Sequence, residues 1–343
     1  MSHKIGIITF HRADNLGAVL QAYALQSVLE EMGKNVEIID YYCPAIGADR
    51  VHASGVKGIA LWLYYRIKHR GFEKFRKCRL HLSKPYTPET IVQCDGEYAA
   101  YISGSDQVWN YECSGYDDAY FLHFVTQGKK LSYAASLGRY RYSQEEQSRV
   151  LKLLSGFSAI SVREFSAQRH LLELTEREVE VCPDPVILLS RDRWEQIMSK
   201  RLLRQKYVFV YLIMKSDEVL EAARQYAADR GYKVICNKTS PEFILRGAPE
   251  DFLSWIRHAE CVFTNSFHGT AFSLLFGKRL AAYTKNPDGE RNMRVTEILE
   301  RTQSQSCALR LGAAEVMASN AAASLEKLRS DALRYLEINC SDL

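Results

Sequence analysis

Short apolar runs, each followed by a segment of helical periodicity, recur along the whole chain, and this alternation limits the possible folds more than any other feature. The first run, Ile5-Gly6-Ile7-Ile8-Thr9-Phe10, leads into a helical segment over 18–29. There Leu20, Tyr23, Ala24, Ser27 and Val28 recur at i, i+3, i+4, i+7 and i+8, so they share one face. Gly33 closes that helix, and 36–41 reads as a second strand. Runs at 98–102, 131–136 and 159–162 combine apolar with small residues, as strands buried on both faces of a parallel sheet do. Pro183-Asp184-Pro185 is a turn, and a new series starts at 207–213. Its expected elements are helix 218–230, strand 233–236, helix 249–258, strand 261–265, helix 268–276 and strand 279–283. A long last helix is expected over 313–337.

This pattern predicts an α/β protein with two Rossmann-like doubly wound domains facing a cleft. The expected domains are 1–190 and 191–312, with 313–343 as a C-terminal helix placed to cross back to the first. A length of 343 residues suits two domains. The 25% of charged residues is an ordinary globular value and argues against a disordered or coiled-coil chain. No apolar run reaches the ~18–20 residues of a membrane span, and the N-terminal run is too short for a secretion signal. The nine cysteines are scattered, and the closest pair is Cys78 and Cys94. They read as reduced thiols of a cytoplasmic protein, and no metal site is expected.

Charge is unevenly spread. Between 57 and 79 lie Lys57, Arg66, Lys68, Arg70, Lys74, Arg76, Lys77 and Arg79 against one acid, Glu73, while the whole chain carries +4. Trp62, Tyr64, Tyr65, Phe72 and Phe75 are interleaved with them. Two readings stand. One is attachment to an anionic membrane surface, at the inner face of the plasma membrane, or to a lipid-linked diphosphate. The other is a packed helix with a solvated basic face. Nucleic acid is not an expected partner, because the rest of the chain is mildly acidic.

In open α/β sheets ligands collect where strands end and helices begin, and exposed helix N–H groups there attract anions. Four loops take such places: 9–17, 103–110, 163–164 and 264–270. None contains a dinucleotide or P-loop glycine motif. In Thr264-Asn265-Ser266-Phe267-His268-Gly269-Thr270, Ser266 can cap the following helix and Gly269 permits close backbone approach. His268 can donate a proton or hold an anion there, or it can be a buried, hydrogen-bonded histidine. In 103–110, Asp106 can meet sugar hydroxyls and Trp109 can offer an apolar face to a ring; the alternative is a capping Asp with a core Trp. Asn15 can touch an acceptor, although Asn15 or Asp14 also suits a helix cap.

Taken in order, these segments resemble the polysaccharide pyruvyl transferase family. The resemblance rests on Asn15-Leu16-Gly17-Ala18-Val19-Leu20-Gln21-Ala22, Ser103-Gly104-Ser105-Asp106-Gln107-Val108-Trp109, Ser161-Val162-Arg163-Glu164, Cys182-Pro183-Asp184-Pro185 and Asn265-Ser266-Phe267-His268-Gly269-Thr270. It implies two domains arranged as in GT-B glycosyltransferases. It also implies transfer of pyruvate from phosphoenolpyruvate to two hydroxyls of a sugar, with no cofactor, in cell-surface polysaccharide biosynthesis. The implied acceptor is a sugar or lipid-linked oligosaccharide. The family's histidine corresponds to His268, as general acid or phosphate ligand, and Asp106 serves the acceptor hydroxyl. Arg163 takes the family's Arg-Glu/Asp position as an anion clamp, and Ser266, Gly269 and Thr270 lie in the donor loop. Many members carry arginine where this chain has Ser266, so Arg291 and Arg294 are the candidates to supply the missing charge. A glycosyltransferase using a nucleotide sugar and a non-catalytic saccharide-binding protein are the alternatives.

Overall fold

The computed structural model describes residues 4–46, 55–285, 292–309, 316–318, 320–341 and 343, with side chains in the helix that follows residue 54 described from 65 onward. The chain divides into two compact units. The first comprises Met1–Val51, Glu73–Leu188 and Leu328–Leu343, and the second His52–Phe72 and Leu189–Lys327.

The elements run in chain order as β1 Lys4–Ile8, α1 Leu16–Glu31, β2 Asn35–Tyr41, α2 Gly55–Arg79, β3 Leu82–Tyr86, β4 Ala100–Ser103, α3 Tyr111–Ser114, β5 Lys129–Ser132, α4 Gln144–Leu154, β6 Ser161–Val162, α5 Phe165–Leu172 and β7 Glu180–Val181. Then follow α6 Arg191–Ile197, β8 Tyr207–Tyr211, α7 Asp217–Ala228, β9 Lys233–Cys236, α8 Pro241–Leu245, α9 Pro249–His258, β10 Cys261–Thr264, α10 Phe267–Leu275, β11 Leu280–Ala282, α11 Met293–Arg301 and α12 Ala322–Cys340. The first unit holds a five-stranded sheet in the order β3-β2-β1-β4-β5, the second a four-stranded sheet in the order β11-β10-β8-β9, and every ladder between these strands is parallel.

Central strands are apolar because both of their faces are covered: all five residues of β8 and all four of β4 and β10 are buried. Gly6 sits mid-β1 for a packing reason. A Cβ there would lie 2.9 Å from the Tyr98 ring and 3.0 Å from Ile39 Cδ1, so a side chain has no room between β1 and its neighbours. Strand β3 is not among the strands expected from the sequence. It contains Pro85 and occupies a sheet edge, where a missing N–H is tolerated.

The basic segment forms α2, and its described part has two distinct faces. Phe72, Phe75 and Arg76 are buried, whereas Arg66, Arg70, Lys74 and Lys77 are exposed at a helical spacing. Arg76 donates to Asp14 Oδ1 at 2.9 Å and Glu73 Oε1 at 3.0 Å, so it belongs to the packed face. Phe72 is equally unavailable for membrane insertion, and Lys57, Trp62 and Tyr64 lie outside the described side chains. The segment was expected to lie wholly in the N-terminal domain, yet α2 is shared between the two units. Gly71 lets the helix approach residues of the second unit, its Cβ position falling 3.0 Å from Ala248 Cβ. Among the described residues, no helix is long and apolar enough to cross a membrane.

The last helix starts later than the sequence suggests, at Ala322. Residues 316–318 extend the second sheet instead: Leu280 N–H donates to Met317 O at 3.1 Å, and Ala318 bridges Arg279. From Leu328 the helix packs in the first unit, where Tyr335 donates to Ser132 O at 2.9 Å.

Replacing Gly6 by Val should destabilise the first unit by about 1–3 kcal/mol, the usual cost of overpacking a well-filled interior. Denaturant unfolding will measure it; an unchanged midpoint would show that Tyr98 moves aside freely.

Candidate functional site

Each sheet reverses its strand order once, and the loops that diverge there form the crevice where α/β sheets bind ligands. In the first unit the reversal lies between β1 and β4, so loops 9–15 and 104–110 diverge. In the second it lies between β8 and β10, so loops 212–216 and 265–266 diverge. The segments singled out by sequence around Asn15, Asp106 and His268 all fall at these points.

A threonine bridges each pair of loops. Thr9 Oγ1 donates to Ser105 O at 2.8 Å and accepts from Gln21 Nε2 at 2.8 Å. Thr264 Oγ1 donates to Tyr211 O at 2.6 Å and accepts from Ser266 N–H at 3.0 Å. Asn265 adds a second tie in the second unit. Its Oδ1 accepts from Ile213 N–H at 2.9 Å, and its Nδ2 donates to Met214 O at 2.8 Å. Asn237 pairs in the same way with both the N–H and the C=O of Leu212. Thr9, Asn237 and Asn265 were given no role from sequence; the available signal was a polar residue directly after an apolar strand.

In the second unit, Ser266 caps α10 by accepting from Gly269 N–H at 3.2 Å. Thr270 Oγ1 donates back to Ser266 O at 2.9 Å and is buried. A Cβ at Gly269 would stand 2.4 Å from Thr264 Oγ1. The side chains of Ser266 and Thr270, with Gly269, are therefore engaged in shaping the turn. His268 lies in the first turn of α10, half-buried, with its ring edge-to-face on Phe267 at 5.1 Å. Asn292 precedes α11 and donates to Asn265 O at 3.1 Å, which brings the start of α11 to the same turn. Arg294 sits in the first turn of α11; Arg291 lies outside the described residues.

In the first unit, Asn15 is exposed and its Oδ1 caps α1 by accepting from Gly17 and Ala18 N–H. Asp106 lies in the loop after β4, in the left-handed region at φ 77, and is part-exposed. Its Oδ1 accepts from Gln107 N–H, and its backbone is held by Ser136 N–H donating to Asp106 O at 2.9 Å. A non-glycine residue in this conformation is strained and persists only where its surroundings enforce it.

Two expectations are corrected here. Trp109 is fully buried, stacked on Phe121 at 5.1 Å and 7°, with its Nε1 donating to Tyr120 O. It supports the loop from below and offers no face to a sugar. Arg163 is also buried. Its Nε donates to Glu164 Oε1 at 2.9 Å, Nη1 to Asp184 Oδ2 at 2.7 Å and Nη2 to Ser136 Oγ at 3.1 Å. Burial alone would lower its pKa, but the carboxylates of Glu164, Asp184 and Asp106 outweigh it and hold the guanidinium charged. With two carboxylates beside it, Arg163 anchors β6 to the Pro183–Pro185 turn, and its donors meet protein oxygens rather than open space. Among the described residues, no group of three or more His, Cys, Asp or Glu side chains is placed to hold a metal ion.

Two units, each built on a parallel sheet with its loops parted at the strand reversal, define a GT-B-like α/β protein. Among solved structures, a putative UDP-N-acetylglucosamine 2-epimerase from Listeria monocytogenes is similar, with 13% identity over 98% of this chain and 88% of that one, at a TM-score of 0.50. The UDP-GlcNAc 2-epimerase from Neisseria meningitidis bound to UDP-GlcNAc matches at 9% identity over 99% and 100%, TM-score 0.45. The ADP-heptose heptosyltransferase II of E. coli matches at 10% over 98% and 98%, TM-score 0.36. No curated protein matches the sequence. The family model for polysaccharide pyruvyl transferase matches residues 15–284, and the chain belongs to that family.

Replacing Arg163 by Met leaves Glu164 and Asp184 buried without their cation, which should destabilise the first unit by about 3–5 kcal/mol. Donor affinity of the folded fraction should stay unchanged. A stable variant with tenfold weaker donor binding would restore Arg163 as a ligand.

Proposed function

We propose that this transferase moves the pyruvyl group of phosphoenolpyruvate onto two hydroxyls of a sugar, closing a cyclic ketal. The observation that carries the reading is the family match over 15–284, together with the place of its histidine, His268, in the first turn of α10 at a strand reversal.

Phosphoenolpyruvate is a compact polyanion, and a helix N-terminus with a nearby guanidinium suits it. The start of α10 supplies the first. Arg294, with Arg291, supplies the second in place of the arginine that Ser266 replaces. Protonated His268 gives its proton to the methylene carbon, and cationic character develops at the neighbouring carbon. A sugar hydroxyl bonds to that carbon and passes its proton to a general base. The oxygen of the second hydroxyl then takes the place of phosphate, which leaves with the C–O electron pair and that hydroxyl's proton. No cofactor enters this scheme. The acceptor class is a sugar or lipid-linked oligosaccharide of a cell-surface polysaccharide, and the exposed stripe Arg66, Arg70, Lys74 and Lys77 favours the anionic surface where such a lipid resides.

Phosphate release from phosphoenolpyruvate with saccharide acceptors, together with the mass of the added ketal, tests the reading. Release of a nucleoside diphosphate from a sugar nucleotide instead would overturn it. In the same assay His268→Ala should lower turnover by about 10²–10⁴-fold with the fold intact; near wild-type turnover removes His268 from the chemistry.

Changing Arg66, Arg70, Lys74 and Lys77 to Gln should abolish co-sedimentation with anionic vesicles at low salt, since each residue contributes about 1 kcal/mol near such a surface. If the parent protein also stays in the supernatant, the stripe has no membrane role.

A further inference from the structure

The loops after β4 and β5 hold four of the five non-glycine residues with left-handed backbone among the described residues: Asp106, Tyr116, Leu122 and Ala134. For a bulky residue this conformation is a genuine outlier, and clusters of such outliers mark functional sites. At Tyr116, φ 62, the enforcing contacts can be named. Its N–H donates to Tyr111 O at 3.0 Å. The preceding Gly115 is also left-handed, and its Cβ position falls 2.7 Å from Ala45 Cβ. On either side, Cys43 Sγ donates to Ser114 O and Tyr41 donates to Asp117 Oδ2.

What this strain fixes is the direction of a ring. Tyr116 lies on Tyr111 at 5.2 Å and 20°, and Tyr111 is itself fully buried among Phe121, Tyr140 and Tyr142. One face of Tyr116 is thus covered, yet the residue remains 53% exposed, so the exposure falls on the other face. A polar group edges this ring. Tyr140 donates to Glu146 Oε1 at 2.6 Å and its hydroxyl also meets that of Tyr116, while the Arg149–Asp118 pair lies against the neighbouring Tyr111. The shelf is continuous with the Asp106 loop: a Cβ at Gly138 would stand 2.1 Å from Gln107 Oε1, so the loop leading to Tyr140 packs directly on the neighbour of Asp106.

We infer that Tyr116, with Tyr140 beside it, is a sugar subsite whose ring stacks on the apolar face of a hexose in the acceptor chain. A flat apolar face rimmed by hydrogen-bonding groups matches the amphipathic shape of a pyranose. The inference rests on the reading that the acceptor is a saccharide, and it gives Tyr116 the stacking role that the buried Trp109 does not fill.

The test is titration of the full chain with oligosaccharides containing glucose, galactose, mannose or N-acetylglucosamine, followed by ligand-observed NMR. The variants are Tyr116→Phe, Tyr116→Ala and Tyr116→Gly. Wild type and Tyr116→Phe should bind the preferred sugar alike, and the other two should bind about 5–10-fold more weakly. Tyr116→Gly controls for folding, because glycine accepts the left-handed backbone without strain and should keep the melting temperature near that of wild type. Equal affinity in wild type and a folded Tyr116→Gly overturns the subsite. So does failure of the wild type to bind any of the panel at about 50 mM. Phosphate release from phosphoenolpyruvate is followed on the same samples. Sugar binding that depends on Tyr116 without any such release would overturn the transferase reading and leave the subsite standing. Release with an unchanged acceptor KM in Tyr116→Gly would do the reverse.

Discussion

A parallel sheet whose strand order reverses must let two neighbouring loops part, and the parted backbone loses the ladder partners it had within the sheet. Here a strand-end threonine on each sheet takes over that duty. Thr9 reaches Ser105 O and Thr264 reaches Tyr211 O, both inside the protein. A single neutral hydrogen bond of this kind stabilises by only about 0.5–1.5 kcal/mol, but leaving a buried carbonyl unpaired costs about 1–3 kcal/mol. The bond therefore acts mainly as a constraint on how far the loops open. Everything downstream depends on it: the turn into α10 that carries His268, and the left-handed residue Asp106 in the loop after β4.

Charge balance separates the two units. In the first, Arg163 is enclosed between the carboxyl groups of Glu164 and Asp184. An anionic donor gains nothing there, because the one cation is already neutralised and its donors are spent on protein oxygens. In the second, the loop that lacks the family's arginine spends its own hydroxyls on capping, and the start of α11 is drawn to the same turn through Asn292. The donor chemistry proposed above therefore draws on the helix ends of this unit and on Arg294.

Much of the fold could be read from the residues. The strand at 233–236 and the helix at 249–258 lie where periodicity and turn residues place them. Strand β3 was invisible because Leu82-Ser83-Lys84-Pro85-Tyr86 has neither an apolar run nor strict alternation, and an edge strand requires neither. The late start of α12 has a different cause. Helix propensity in an alanine-rich stretch competes with sheet pairing at 316–318, and the pairing depends on residues nearly forty positions earlier in the chain. The site was legible as loops but not as side-chain directions. Trp109 and Arg163 stand where ligands and core supports alternate residue by residue, and only packing tells the two apart. Tyr116 carried no signal at all, because a left-handed tyrosine after glycine has no sequence signature.

The return of α12 to the first unit has a consequence for how the chain becomes a protein. Tyr335 bonds to Ser132 O and packs its ring on Tyr133, and Leu336 and Cys340 are buried with it. All of the second unit except His52–Phe72 is synthesised in between, since the first pauses at Leu188 and resumes at Leu328. At roughly 5–20 residues per second, the nascent first unit waits on the order of ten seconds or more for its last helix. During that interval the surface reserved for Tyr335 and Leu336 stays uncovered, while the second unit gains the rest of its own chain. The order of synthesis thus makes the later-made unit the earlier one able to complete itself.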